Sequence, residues 1–153
     1  MKQVSVLVGA GSIGQAIIRR VSAGKHIVLA DYSIENANRT KETLENAGYE
    51  CSTMKCDLGS KENILKLVEF ATSKGDVMNV VNAAGVSPSQ APVAEILRVD
   101  LYGTSVLLEE FGKVIAEGGS GVFDLILHNY GPDRLVRCTS TSMTPCRLTR
   151  STV

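Results

Sequence analysis

Neither sign of charge is in excess in this chain: 16 Lys and Arg stand against 16 Asp and Glu, and the isoelectric point is near 6.7. Nothing global therefore favours nucleic acid or an anionic membrane surface as a partner. Long apolar runs are missing too, and none approaches the roughly 18 residues that a membrane helix needs. No basic and apolar leader precedes the first strand, so a cytoplasmic location is expected. Cysteine is sparse: Cys51, Cys56, Cys138 and Cys146 form no Cys-x-x-Cys, and the two histidines, His26 and His128, lie far apart. No common zinc spacing results, and Cys51 and Cys56 are expected to be reduced, buried or half-buried thiols. What is present is a globular composition, 44% hydrophobic over 153 residues, enough for one domain with a real core.

Strand-like and helix-like segments alternate along the chain. Gln3–Val8, His26–Ala30, Glu50–Cys56 and Val77–Val81 read as strands, and the run at 26–30 is apolar throughout, as in a strand covered on both faces. Between them lie helical patterns over 13–23, 34–47 and 61–73. The second places Ile34, Ala37, Leu44 and Ala47 on one face, and the third Ile64, Leu65, Leu67, Val68 and Ala71. Gly24 and Gly48 are stop signals; Ser60, and either Ser33 or Asp31, are start signals. Past a loop bracketed by Pro88 and Pro92, a long helix is predicted over 93–116, with Gly103 inside it. Gly118-Gly119-Ser120-Gly121 reads as a turn and Val122–Leu127 as the fifth strand. This alternation predicts an α/β fold of three layers around a doubly wound parallel sheet. Right-handed crossovers give the strand order 3-2-1-4-5, with a ligand crevice where strands one and four diverge.

The most specific stretch is Gly9-Ala10-Gly11-Ser12-Ile13-Gly14, directly after strand one and opening helix one. The first glycine allows a tight turn, the second the close approach of a pyrophosphate, and the third the packing of helix on strand. The helix start, around Ser12 and Ile13, offers unpaired N–H groups and positive dipole to phosphate. Asp31 stands about 20 residues on, where a carboxylate accepts from both ribose hydroxyls and repels a 2′-phosphate, which predicts NAD in preference to NADP. It suits a helix cap as well, and Tyr32 or Arg39 beside it could soften the preference. Asp57, with Leu58 after strand three, either faces an adenine or serves the turn before Ser60. Asn82-Ala83-Ala84-Gly85 follows strand four; its small residues let backbone pass close to a flat ligand, and its Asn can tie strand ends together.

Together the glycine turn, Asp57 and Asn82-Ala83-Ala84-Gly85 make about residues 3–122 resemble the short-chain dehydrogenase/reductase family, the Asn-x-Ala-Gly element being the most specific part. The resemblance implies a Rossmann-like NAD(P)-binding domain over 1–128. It implies an oxidoreductase that moves hydride between nicotinamide and an alcohol or carbonyl substrate. It carries pyrophosphate to Gly9, Gly11 and Gly14, ribose to Asp31 and adenine to Asp57, with Asn82 through Gly85 supporting the nicotinamide end. The pattern is departed from in three places. One residue rather than three separates the first two glycines. Asp100, within Val99-Asp100-Leu101-Tyr102-Gly103, stands where the family often has an active-site Asn; it is the one candidate catalytic residue, or an ordinary polar helix residue. The family's Ser after strand five and its Tyr-x-x-x-Lys are not found. No Lys follows Lys113, and Tyr130 heads a Tyr-x-x-x-Arg whose Gly131-Pro132 opposes the helix that would align such a pair.

Residues 129–153 read as an irregular tail rich in Ser, Thr and Arg. It is expected to be a shifted reading frame or artificial end, a genuine short, mobile tail, or a basic phosphate or nucleic-acid contact. The chain is thus expected to be truncated after strand five and to lack its catalytic half. That would expose a sheet edge and favour self-association; a homo-oligomer is also implied by the resemblance. The rival readings are a non-catalytic NAD(H)-binding module and, opposed by the Asn-Ala-Ala-Gly element, an S-adenosylmethionine-dependent methyltransferase.

Overall fold

The computed structural model describes residues 2–87 and 89–123. Strands β1 (Gln3–Val8), β2 (His26–Asp31), β3 (Glu50–Lys55), β4 (Asp76–Asn82) and β5 (Ile115–Phe123) form one parallel sheet in the order β3-β2-β1-β4-β5. This is the predicted order. Helices α1 (Ser12–Val21), α2 (Ile34–Asn46) and α3 (Lys61–Lys74) follow the first three strands. After β4 come α4 (Val93–Ile96), a π-helical segment (Leu97–Gly103) and α5 (Thr104–Gly112).

Side-chain alternation along the strands divides the core in two. Val4, Val6, Val8, Val28 and Val80 pack with α3 and α5 through Ile64, Leu67, Leu107 and Phe111. Leu7, Ile27, Leu29 and Val81 pack with Ile18 of α1 and Leu44 of α2. β2 is covered on both faces, so its sequence is apolar without alternation. Each such aliphatic side chain contributes about 1.5–3 kcal/mol on burial. Leu65 leaves the predicted α3 stripe and is exposed, since one helical step of about 100° turns it off the face that Ile64 and Leu67 share. Gly24 and Gly48, at φ 72° and 88°, follow α1 and α2 as stops. Ser33 rather than Asp31 caps α2, its Oγ accepting the Asn36 N–H at 3.2 Å; Ser60 accepts the Asn63 N–H at 3.4 Å to cap α3. Cys51 and Cys56 are free and buried, and burial pushes both thiols up to about 11.

The second half departs from the sequence expectation. The single helix over 93–116 is interrupted by π-helical turns and stops at Gly112. Gly103, at the end of those turns, lies so close to the Leu58 carbonyl that a Cβ would clash, so packing on the β3–α3 connection prevails over local helix propensity. β5 starts at Ile115 rather than Val122, and the glycine run read as a turn lies inside it. Ile115 pairs with Val77 and Ser120 with Asn79, so residues 116–119 oppose Met78 alone. A bulge with Gly118 at φ 79° absorbs them. Residues 124–127 of the predicted strand, with Pro88, His128, Tyr130, Cys138, Cys146 and the tail 129–153, lie outside the described residues. Among the described residues no helix is long and apolar enough to cross a membrane.

Candidate functional site

The carboxyl ends of β1, β2 and β4 converge on the glycine turn. Gly9 N–H donates to Ala30 O at 2.8 Å, and Ala83 N–H to Val8 O at 2.7 Å, so the end of β1 is laced to the strands on both sides. Gly9 has φ 88°, and a Cβ on it would stand 2.5 Å from Ala84 N; one on Gly14 would stand 2.5 Å from Gly9 O. Neither position has room for a side chain. Gly11 differs, because a Cβ there would meet nothing within 4 Å. The outer glycines build the turn, while the middle one opens onto free space in front of α1. Unlike α2 and α3, α1 has no side-chain cap, so among the described residues its first-turn N–H groups at Ser12 and Ile13 have no capping oxygen.

Asp31 reaches back to this turn from the end of β2. Its Oδ2 accepts the Ala10 N–H at 2.8 Å and its Oδ1 the Ser33 N–H at 2.9 Å. Each oxygen keeps a lone pair for a further donor. The other end of Ala10 is held as well: its carbonyl accepts Thr40 Oγ1–H at 2.9 Å and Gln15 Nε2–H at 3.2 Å. Gln15 also donates to Thr40 Oγ1 at 3.0 Å. Sequence reasoning misses both residues. A signal exists, since Thr40 stands between Ala37 and Leu44 on the inward stripe of α2, a hydroxyl where an apolar side chain is expected.

Asn82 is buried, with Nδ2 donating to Thr104 Oγ1 at 3.2 Å and Oδ1 accepting the Ala84 N–H at 3.2 Å. The strand ends are tied by the Ala83 backbone; the Asn82 side chain instead joins β4 to the first residue of α5. Asp100, within the π-helical segment, meets the same loop. Its Oδ1 accepts the Val86 N–H at 3.0 Å and lies 3.4 Å from where a Cβ on Gly85 would be. Partial burial pushes the Asp100 carboxyl up, with the Val86 N–H acting the other way. π-helical turns often mark functional sites, and here one brings an acid over the loop 82–86.

Asp57 holds its own turn, Oδ1 accepting the Gly59 N–H at 2.9 Å, while Oδ2 pairs with Arg98 Nη1 at 3.1 Å. Arg98 also donates to Glu95 at 2.6 Å, so Asp57 lies in an acid–arginine–acid chain that ties the β3–α3 turn to α4. These contacts serve the turn before Ser60. Leu58 is buried in the core rather than on the crevice surface. Tyr32 is exposed, with Lys55 Nζ 5.8 Å from its ring centroid, and Arg39 is exposed on α2.

A family model described as enoyl-(acyl carrier protein) reductase matches residues 9–129. The chain is 37% identical over 125 residues to the short-chain dehydrogenase/reductase bsc3 of Alternaria brassicicola, which covers 82% of this chain and 46% of that protein. It is 27% identical over 145 residues to the 7alpha-hydroxysteroid dehydrogenase of Escherichia coli, covering 89% and 57% respectively. A solved metagenomic short-chain oxidoreductase in complex with NADP aligns with a TM-score of 0.69 at 27% identity, over 79% of this chain and 61% of that one. The chain spans about half the length of these curated relatives.

Proposed function

The chain belongs to the short-chain dehydrogenase/reductase family of oxidoreductases, and from that membership we propose that it binds a nicotinamide dinucleotide, NAD in preference to NADP, across the carboxyl ends of β2, β1 and β4. The observation that carries this reading is the contrast among three glycines. Packing requires Gly9 and Gly14, whereas among the described residues nothing requires Gly11, and the open space beside it suits a pyrophosphate. The backbone N–H groups of Gly11, Ser12 and Ile13 bind that pyrophosphate. The remaining lone pairs of Asp31 accept the ribose hydroxyls, and its charge disfavours a 2′-phosphate. Tyr32 and the turn that Asp57 holds, with the backbone of Leu58, flank the adenine side, and Asn82, Ala83, Ala84 and Gly85 back the nicotinamide end.

When bound, the nicotinamide supplies or takes up a hydride, the substrate being a small alcohol or carbonyl compound. Asp100 fixes the loop behind that end through its bond to Val86 N–H. The protein acts in the cytoplasm, and its copies pair through apolar residues exposed on α4, the π-helical segment and α5: Val93, Leu97, Leu101 and Leu108. A second reading, dinucleotide binding without turnover, is favoured by one observation: Tyr130 heads a Tyr-x-x-x-Arg with Gly131-Pro132 inside it. Fluorescence titration with NADH and NADPH tests the proposal. Saturable NADH binding, with NADPH at least about tenfold weaker, is the expected result. No NADH binding, or tight S-adenosylmethionine binding in its place, overturns it. Hydride transfer to or from a panel of alcohols and ketones separates the two readings.

A further inference from the structure

We infer that Thr40 and Gln15 are positioning residues for the cofactor pyrophosphate, turning the Gly11 N–H outward by gripping the carbonyl on the other side of the same peptide unit. The inference rests on the cofactor reading above. A trans peptide is planar, with its C=O and N–H pointing in opposite directions, and no cis bond occurs among the described residues. The Ala10 carbonyl is held by Thr40 Oγ1 of α2 at 2.9 Å and by Gln15 Nε2 of α1 at 3.2 Å. Those two groups are bonded to each other at 3.0 Å, so the grip is a closed triangle. Thr40 is only 3% exposed, and bulk water cannot replace its hydroxyl. With the carbonyl turned toward α2, the Gly11 N–H turns away from it. That N–H has no backbone partner outside α1 among the described residues, and the space around Gly11 is open.

Asp31 fixes the Ala10 N–H independently. The two ends of this one residue are therefore set by three elements, β2 at the N–H and α2 with α1 at the carbonyl, before any ligand arrives. Such preorganisation strengthens binding without adding a contact to the ligand. A residue needed only to fill volume would serve equally well as valine, which matches threonine in shape. The hydroxyl is what the grip uses. Without it the Ala10 carbonyl loses its nearest donor, and the peptide unit gains freedom to rotate.

Thr40→Val and Thr40→Ser in the full chain test this. NADH affinity is read by titration, and the Gly11 amide resonance is followed as inorganic pyrophosphate is added. Thr40→Val is expected to weaken NADH binding about tenfold, while Thr40→Ser, which keeps the hydroxyl, stays within about twofold of wild type. Pyrophosphate should shift the Gly11 resonance in wild type and Thr40→Ser, and much less in Thr40→Val. A folded Thr40→Val with unchanged affinity and an unchanged Gly11 shift overturns the inference. Should Thr40→Val fail to fold, Gln15→Leu removes the half-buried arm; about threefold weaker NADH binding supports the grip, and unchanged binding overturns it. Wild type that binds no NADH overturns the cofactor reading itself, whatever the variants do.

Discussion

β2 and β5 belong to the same sheet but are held in it differently. β2 pairs with β1 and β3 in unbroken register and is buried from His26 to Ala30. β5 pairs with β4 across a jump in register, and none of its residues is fully buried. β2 has a strand on each edge and helices over both faces, so its backbone groups are satisfied and its aliphatic side chains leave water. Among the described residues β5 has one strand neighbour, and three of its nine residues are glycine, which bring no side chain to pack. The end of the sheet that positions the glycine turn is thus specified several times over. The end toward β5 rests on fewer contacts and is the expected site of early local opening.

The sharpest way to break that comparison uses two glycines of similar backbone conformation. Gly9 and Gly118 have φ of 88° and 79°, but a Cβ meets Ala84 at the first and open space at the second. Gly9→Ala should cost about 3 kcal/mol or more, through clash plus strain. Gly118→Ala should cost about 1–2 kcal/mol, through backbone strain alone. Urea unfolding measures both, and equal losses would erase the distinction between the two regions. A smaller effect separates two asparagines of β4. Asn82 is buried between Thr104 and Ala84, whereas the half-buried Asn79 bridges Ser5 and Ser120 at 3.2 and 2.9 Å. Asn82→Ala should lower stability by about 2 kcal/mol and Asn79→Ala by about 1 kcal/mol, read as thermal midpoints.

The smallest effect is at Asp100. Burial raises its carboxyl above the ordinary 3.8, so the fold prefers the protonated form. The stability it contributes is complete below that value and is lost as pH rises through the raised one. Asp100→Asn cannot ionise and still offers an oxygen to the Val86 N–H. Its effect at neutral pH should be stabilising and within about 0.5 kcal/mol. The melting-temperature difference between variant and wild type should grow in the variant's favour as pH rises above 3.8 and through the raised value. A difference that stays flat as pH rises would show that burial does not raise the Asp100 carboxyl.

Much of the first half is legible from local pattern. The strands at 3–8 and 26–30, the caps at Ser33 and Ser60, the glycine stops and the turn at Gly9–Gly14 all follow from short-range chemistry: period, φ requirement and capping donors. The site is legible only in part. Asp31 could be placed at the end of β2, but not its grip on Ala10; Asp57 could be placed in a turn, but not its pairing with Arg98, 41 residues away.

The sequence by itself determined the order of the elements, the strand order of the sheet and the position of the glycine turn. The elements and the turn depend on residues a few positions apart, where periodicity and turn propensity are decisive, and the strand order then follows from the right-handed crossover rule. Only the tertiary structure decided the rest: that Thr40 closes on Ala10 from 30 residues away, that Gly103 against Leu58 accompanies π-helical turns under Asp100, and that β5 begins at Ile115 and bulges at Gly118. These follow from close packing between elements distant in sequence, where the space left by a neighbour outweighs a residue's own preference.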